Sequence, residues 1–311
     1  MSIGIIDIAS HVPDGRRNVE AMAESFSMPE DFRVEKLGTD HLPVAAEEED
    51  ACSLAVPAVD ALLKRNPGLE DRIGMLVVVT QNPVGHGLPH TAALLHAATG
   101  LGRDVAAFDL SLGCSGYVHG LEVVNRFLEG RPSDRRHGIL VTSDPYSKVV
   151  DPTDRDTAML FGDAATATLI GPDPIFEMPT ADFMTDGTKS DAIAVDDGVL
   201  SMKGRKVFNF VMSNVPAQIE RTLGEAGLAV ADMDRFLFHQ GSRYIVETLA
   251  NRIGADLART PVRIGETGNT VSSSIPLLLE HELVDESGSR LLIAGFGVGL
   301  SSGVGVLTRP Q

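Results

Sequence analysis

Three residues of this chain sit in surroundings that favour chemistry: Cys114, His239 and Asn269. Cys114 lies in Phe108-Asp-Leu-Ser-Leu-Gly-Cys114-Ser-Gly-Tyr117. There a buried strand ends, Gly113 permits a tight turn, and a helix starts at or just after the cysteine. The unpaired N–H groups and dipole of such a helix start favour a thiolate and lower its pKa. The cysteine's own amide points where an oxyanion would form. The alternative is a small buried hydrophobe, the usual fate of a free cysteine and the reading for Cys52, which falls mid-helix. His239 follows Phe236-Leu-Phe238 at a strand end. It can do acid–base work there or donate to a developing enolate; a satisfied structural histidine is the alternative. Asn269, in Gly268-Asn269-Thr270, can cap a helix, adopt a left-handed turn, or offer its amide as a second neutral donor. His86 and His90 have metal-ligand spacing, but Gly87 and Pro89 intervene and no carboxylate joins them, so no metal is expected.

The elements that must position these residues are short apolar strands alternating with helical patterns. Strands read at Ile73–Thr80, Ala106–Leu112, Gly138–Thr142, Ala165–Ile170, Arg235–His239 and Arg290–Gly295. That rhythm predicts a largely parallel, buried sheet flanked by helices. The two halves also echo each other. Val56-Pro57 and Val215-Pro216 lie 159 positions apart, as do Thr80-Gln81 and His239-Gln240. Helices over Ala51–Arg65, His90–Thr99 and Cys114–Leu128 match the Val211–Leu223 periodicity, Arg243–Ile253 and Asn269–Leu283. Cys114 and Asn269 would then occupy related helix starts, where the sites of open α/β sheets gather. The glycine-rich run Gly295–Gly303 has no helix after it, so close backbone packing explains it better than a dinucleotide loop.

Composition narrows the partners. The chain has 311 residues, 43 acidic against 26 basic, and a formal charge of −17. An acidic surface repels phosphate backbones, so nucleic acid and anionic membrane are poor partners. The N-terminus reads as a strand, and no apolar run approaches the ~20 residues of a membrane helix. Two cysteines cannot build a disulfide framework. A cytoplasmic enzyme is the expectation.

Several segments together resemble the ketoacyl-ACP synthase III family of the thiolase-like superfamily. The nucleophile segment is Ala107–Tyr117. Asp151-Pro-Thr-Asp-Arg155 and Phe161-Gly-Asp-Ala-Ala165 resemble the stretch after it. His239-Gln-Gly-Ser242 resembles the family's His-Gln-Ala-Asn, Gly268-Asn-Thr270 through Pro276 its Gly-Asn-Thr motif, and Gly295–Gly303 its glycine tail. The resemblance implies a duplicated five-layered αβαβα fold, with residues 1–171 carrying the cysteine and 172–311 the histidine and asparagine, usually as a homodimer. It implies that Cys114 takes an acyl group from acyl-CoA or another acyl thioester. Malonyl-ACP then loses CO2, with His239 and Asn269 stabilising the enolate, and no cofactor is needed. The amides of Cys114 and Val298 match the oxyanion hole, and Phe296 an aromatic beside the leaving carboxylate. The alternative is transfer of the acyl group to an alcohol or amine without decarboxylation.

Departures concern the substrate. Phe32 replaces a family Trp that stacks on the adenine of coenzyme A, Arg155 is retained, and Ser242 replaces an Asn contacting the pantetheine arm. Gln81–His90, with Leu88, matches the segment that crosses the dimer to floor the acyl pocket. Lys36, Lys203, Arg205, Lys206 and Arg243 are candidates for docking an acidic carrier protein, with Lys36 and Arg243 foremost. Met202–Val207 otherwise reads as solvated surface.

Overall fold

The computed structural model describes residues 2–285 and 288–310. The chain begins with β1 (Ile3–His11), the small strands β2 (Gly15–Asn18) and β3 (His41–Val44), and α1 (Val19–Ser25) between them. Next come α2 (Ala51–Arg65), β4 (Ile73–Val79), α3 (Thr91–Thr99), β5 (Ala106–Leu110), α4 (Gly116–Glu129), β6 (His137–Ser143) and β7 (Ala165–Pro172). Then follow β8 (Glu177–Thr185), β9 (Ile193–Asp196), β10 (Val199–Met202), α5 (Gly204–Glu225), β11 (Arg235–Phe238) and α6 (Arg243–Ile253). The chain closes with α7 (Ser274–Val284), β12 (Arg290–Gly297) and β13 (Ser301–Thr308).

Two sheets result. One has the order β1-β7-β6-β4-β5, in which β5, β4, β6 and β1 share one direction and β7 alone runs antiparallel between β6 and β1. The other runs β11-β12-β13-β8, with one parallel pair followed by two antiparallel ones. Period-2 alternation makes each strand a two-sided wall. In β4, Leu76 and Val78 pack with Leu54, Leu62 and Leu95 of α2 and α3. Its Met75, Val77 and Val79 face the opposite way, onto Leu121 and Val124 of α4 and Leu278 and Leu279 of α7. In β12, Leu291 and Ile293 join that same central layer. Leu292, Ala294 and Phe296 face Val211, Val215 and Ile219 of α5 and Val246 of α6. Helices, sheet, helices, sheet, helices: this is the five-layered αβαβα thiolase-like fold. Each fully buried Leu, Ile or Val in these layers contributes about 1.5–3 kcal/mol of transfer free energy.

Local chemistry sets the helix starts. Asp50 caps α2 by accepting from Cys52 N (2.9 Å) and Ser53 N (2.8 Å), while Ser53 Oγ accepts from Asp50 N (2.9 Å). This capping box is worth about 1 kcal/mol. No helix among the described residues is long and apolar enough to cross a membrane.

Candidate active site

After β5 the chain turns through Ser111-Leu-Gly113, and α4 begins at Gly116 with Ser115 as its cap residue. Cys114 thus stands two residues ahead of the helix, 7% exposed. The end of β12 lies against it. A Cβ on Gly297 would sit 2.7 Å from Cys114 Sγ, and one on Gly295 2.5 Å from the cysteine's carbonyl oxygen, so neither position has room for a side chain. The backbone N–H groups of Cys114 and Val298 both favour the thiolate. They are outweighed. Burial first, and the buried carboxylate of Asp144 second, push the thiol up to about 12. The helix-start expectation of a lowered pKa is therefore overturned, because desolvation of a charged sulfur exceeds the pull of two amides.

His239 follows β11 by one residue, its N–H donating to the Ala294 carbonyl (2.9 Å). Its Nδ1 lies 2.7 Å from Ser274 Oγ, and its ring meets Phe296 edge-on at 5.6 Å. Burial pushes the imidazole down to about 3, with the Val271 carbonyl only partly opposing. The ring is neutral at physiological pH.

Asn269 is pinned by its backbone: its N–H donates to Leu160 O (2.9 Å) and its carbonyl accepts from Gly162 N (3.1 Å). Here the Phe161-Gly-Asp segment meets the Gly-Asn-Thr segment, a juxtaposition only the fold reveals. The side-chain Oδ1 accepts from Val271 N (2.9 Å), so Nδ2 remains as the donor. One helix was expected from Asn269 to Leu283. Instead a 3-10 turn spans Val271–Ser273, and α7 starts at Ser274. The break has a cause: Asn269 takes the Val271 amide, and Val271 itself is left-handed at φ 52. A β-branched residue in that region stores about 1–3 kcal/mol and is held only by its surroundings.

Cys114, His239 and Asn269 line one cavity of about 590 Å³, together with Phe296 and Val298. Phe32, Lys36, Arg205, Ser242 and Tyr244 line it as well. Ser242 also caps α6, accepting from Ile245 N at 3.3 Å. Arg155, Leu88 and Arg243 do not line it. Arg155 is exposed beside Asp156 (3.5 Å), Arg243 pairs with Glu247 (3.4 Å), and Leu88 is 88% exposed. The surface reading of Met202–Val207 is corrected: Met202, Gly204, Arg205 and Val207 all line the cavity, because the first turn of α5 lies along it. Three further residues escaped sequence reasoning: Tyr244, Phe208 and Asp144. Asp144 had a usable signal, an acidic residue directly after a buried run at the end of a parallel strand. Tyr244 and Phe208 had none.

A thiolase-like fold whose cysteine, histidine and asparagine line one mostly apolar cavity defines an acyl-transferring condensing enzyme. Comparison with known proteins gives the family. Residues 108–187 match the profile of 3-oxoacyl-[acyl-carrier-protein (ACP)] synthase III, and residues 223–309 that of its C-terminal part. The chain is 31% identical to the beta-ketoacyl-[acyl-carrier-protein] synthase III of Levilactobacillus brevis, over 98% of both chains. It is 30% identical to beta-ketoacyl-[acyl-carrier-protein] synthase III 2 of Deinococcus radiodurans, over 98% of this chain and 94% of that one. A crystal structure of a 3-oxoacyl-(acyl-carrier-protein) synthase III superposes with a TM-score of 0.92 at 28% identity, covering 99% of this chain and 100% of the other. The chain belongs to the beta-ketoacyl-ACP synthase III family.

Proposed function

We propose that the protein condenses an acyl thioester with malonyl-ACP, using Cys114, His239 and Asn269. Cys114 Sγ attacks the thioester of an acyl-CoA or acyl-ACP. The tetrahedral oxyanion forms against the N–H groups of Cys114 and Val298, and the departing thiol carries away the cysteine's proton. Malonyl-ACP then loses CO2. In the tautomer with its proton on Nε2, His239 donates, together with Asn269 Nδ2, toward the enolate oxygen. The enolate carbon bonds to the acyl carbonyl, the carbon–sulfur bond breaks, and Cys114 takes up a proton from solvent as the 3-ketoacyl thioester leaves. Phe296 supplies an apolar wall beside the departing carboxylate. No cofactor takes part.

The observation that carries this reading is the convergence of a thiol and two neutral donors on one cavity. In the same reading, residues 1–171 form the nucleophile half and 172–311 the donor half. The pantetheine arm enters past Phe32 and Ser242, with Arg155 near the opening, and Lys36 and Arg243 face the acidic carrier. A homodimer forms along β5, a sheet edge whose residues Ala106–Leu110 are all half-buried, with Leu88 reaching toward the partner. Both cysteines are free, which suits a reducing cytoplasm.

The test is intact-mass measurement after incubation with an acyl-CoA panel, followed by malonyl-ACP. The expected result is one acyl adduct, absent in Cys114→Ala, then CO2 release and a 3-ketoacyl product. Stable acylation without malonyl consumption favours transfer to an alcohol or amine instead. No adduct from any CoA or carrier donor ends both readings.

A further inference from the structure

Asp144 is a charged group at the site for which the reaction above has no role. It directly follows β6, is fully buried, and has no cationic partner among the described residues. One carboxylate oxygen accepts from Gln81 N (2.7 Å) and Thr80 Oγ1 (3.3 Å). The other accepts from Ser272 N (3.3 Å) and from the Ser272 hydroxyl. A single side chain therefore ties together the ends of β4 and β6 and the turn that follows Asn269. That turn needs holding. Ser272 adjoins Val271, the left-handed residue whose N–H fixes Asn269 Oδ1. On its other side Asp144 acts through space on Cys114 and Tyr146, raising both.

We propose that Asp144 is a positioning residue that clamps the Val271–Ser272 turn so that Asn269 faces the cavity. The proposal rests on the assignment of Cys114 to acylation and Asn269 to decarboxylation. The clamp is an anion surrounded by neutral donors, with Cys114 and Tyr146 the titratable groups that face it. Burial raises Asp144 itself to about 6, and its four hydrogen bonds draw it back toward the ionised form. An amide in its place would turn an NH2 group against the Gln81 or Ser272 donors.

The test compares Asp144→Asn and Ser272→Ala with the wild type. Three measurements are made: iodoacetamide alkylation of Cys114 against pH, mapped by peptide mass to separate it from Cys52; acyl uptake; and CO2 release from malonyl-ACP. Asp144→Asn is expected to release CO2 about tenfold more slowly, part of the loss that removing a donor outright would cause, while above pH 6 its alkylation at Cys114 is no slower than in the wild type. Ser272→Ala keeps the charge, so its alkylation profile stays at wild type while CO2 release falls severalfold. A merely structural role would lower all three readouts together and overturn the clamp. So would unchanged CO2 release in Ser272→Ala, which also decides the matter if Asp144→Asn does not fold. A wild type that is alkylated at Cys114 yet takes up no acyl group sinks the proposed reaction instead; an active wild type with unaffected variants sinks the clamp alone.

Discussion

At the closed end of the cavity Cys114, His239 and Asn269 are each no more than 7% exposed, and burial keeps both the thiol and the imidazole uncharged. At the open end Lys36 and Arg205 stand in solvent. Lys36 Nζ rests 3.9 Å above the Tyr244 ring, which stacks on Phe208 at 5.4 Å. Charge behaves oppositely in the two places. In the dry end a resting charge is expensive, so amides and neutral donors act only as charge develops on a substrate oxygen. At the mouth, water and salt screen each charge, and single contacts are worth about 0–1 kcal/mol. Reaction and recognition are thus separated along one channel, and substitutions at its two ends should differ in size, salt dependence and kinetic step.

The largest effects belong to the closed end. His239→Ala and Asn269→Ala should each slow CO2 release from malonyl-ACP by about 10²–10³, the usual loss of an oxyanion donor. Acylation of Cys114, followed by intact mass, should stay within about fivefold, because its oxyanion faces backbone amides instead. Equal losses in both steps would break the division between the two sets of donors.

A smaller effect concerns stability in acid. The native state keeps His239 neutral down to about pH 3, whereas the unfolded chain accepts that proton near 6.5. A group with a lowered native pKa contributes stability that is present above pH 6.5 and is lost as pH falls toward 3. Asp144, raised to about 6, works the other way: its stability is present below the unfolded value of 3.8 and is lost as pH rises through 6. Comparison with His239→Gln isolates the histidine. Between pH 7 and 4.5 the wild type should lose about 2–3 kcal/mol more than the variant in urea unfolding. Parallel curves would mean that the imidazole is less dry than its burial implies.

The closed end was also the part legible in the sequence. A glycine before a cysteine at a strand end, a histidine after an apolar run, and an asparagine after a glycine are local patterns, and alternation in β4 and β12 carries the layers. What was not legible depends on tertiary placement. Val271 is held in its left-handed conformation by Asn269, which takes its amide, and by Ser274, which donates to its carbonyl, and nothing in Thr-Val-Ser announces that. Lys203-Gly-Arg-Lys206 reads as solvated charge, and Lys203 and Lys206 do face outward, each 2.7 Å from Asp191. Only the course of α5 turns Gly204 and Val207 of the same stretch toward the cavity. The thiol was misjudged for a related reason: the helix start is visible in sequence, while the desolvation that outweighs it is not.

The smallest expected effect is at the mouth, where it sharpens the contrast most. Lys36 is the one foremost docking candidate that lines the cavity, since Arg243 is occupied by Glu247 and lies off it. The Tyr244 ring beneath it holds the ammonium in place without neutralising it, at a strength of about 0.5–1 kcal/mol for an exposed cation–π pair. Lys36→Ala should therefore raise KM for malonyl-ACP about two- to fivefold at low salt and leave kcat alone. Near 1 M salt, where screening acts over about 3 Å, the difference should vanish. Lys36→Glu should enlarge it with the same salt dependence, because an acidic carrier would then meet like charge. A salt-insensitive fall in kcat would instead place Lys36 with the dry end, as a group sensed by the reacting atoms rather than by the carrier.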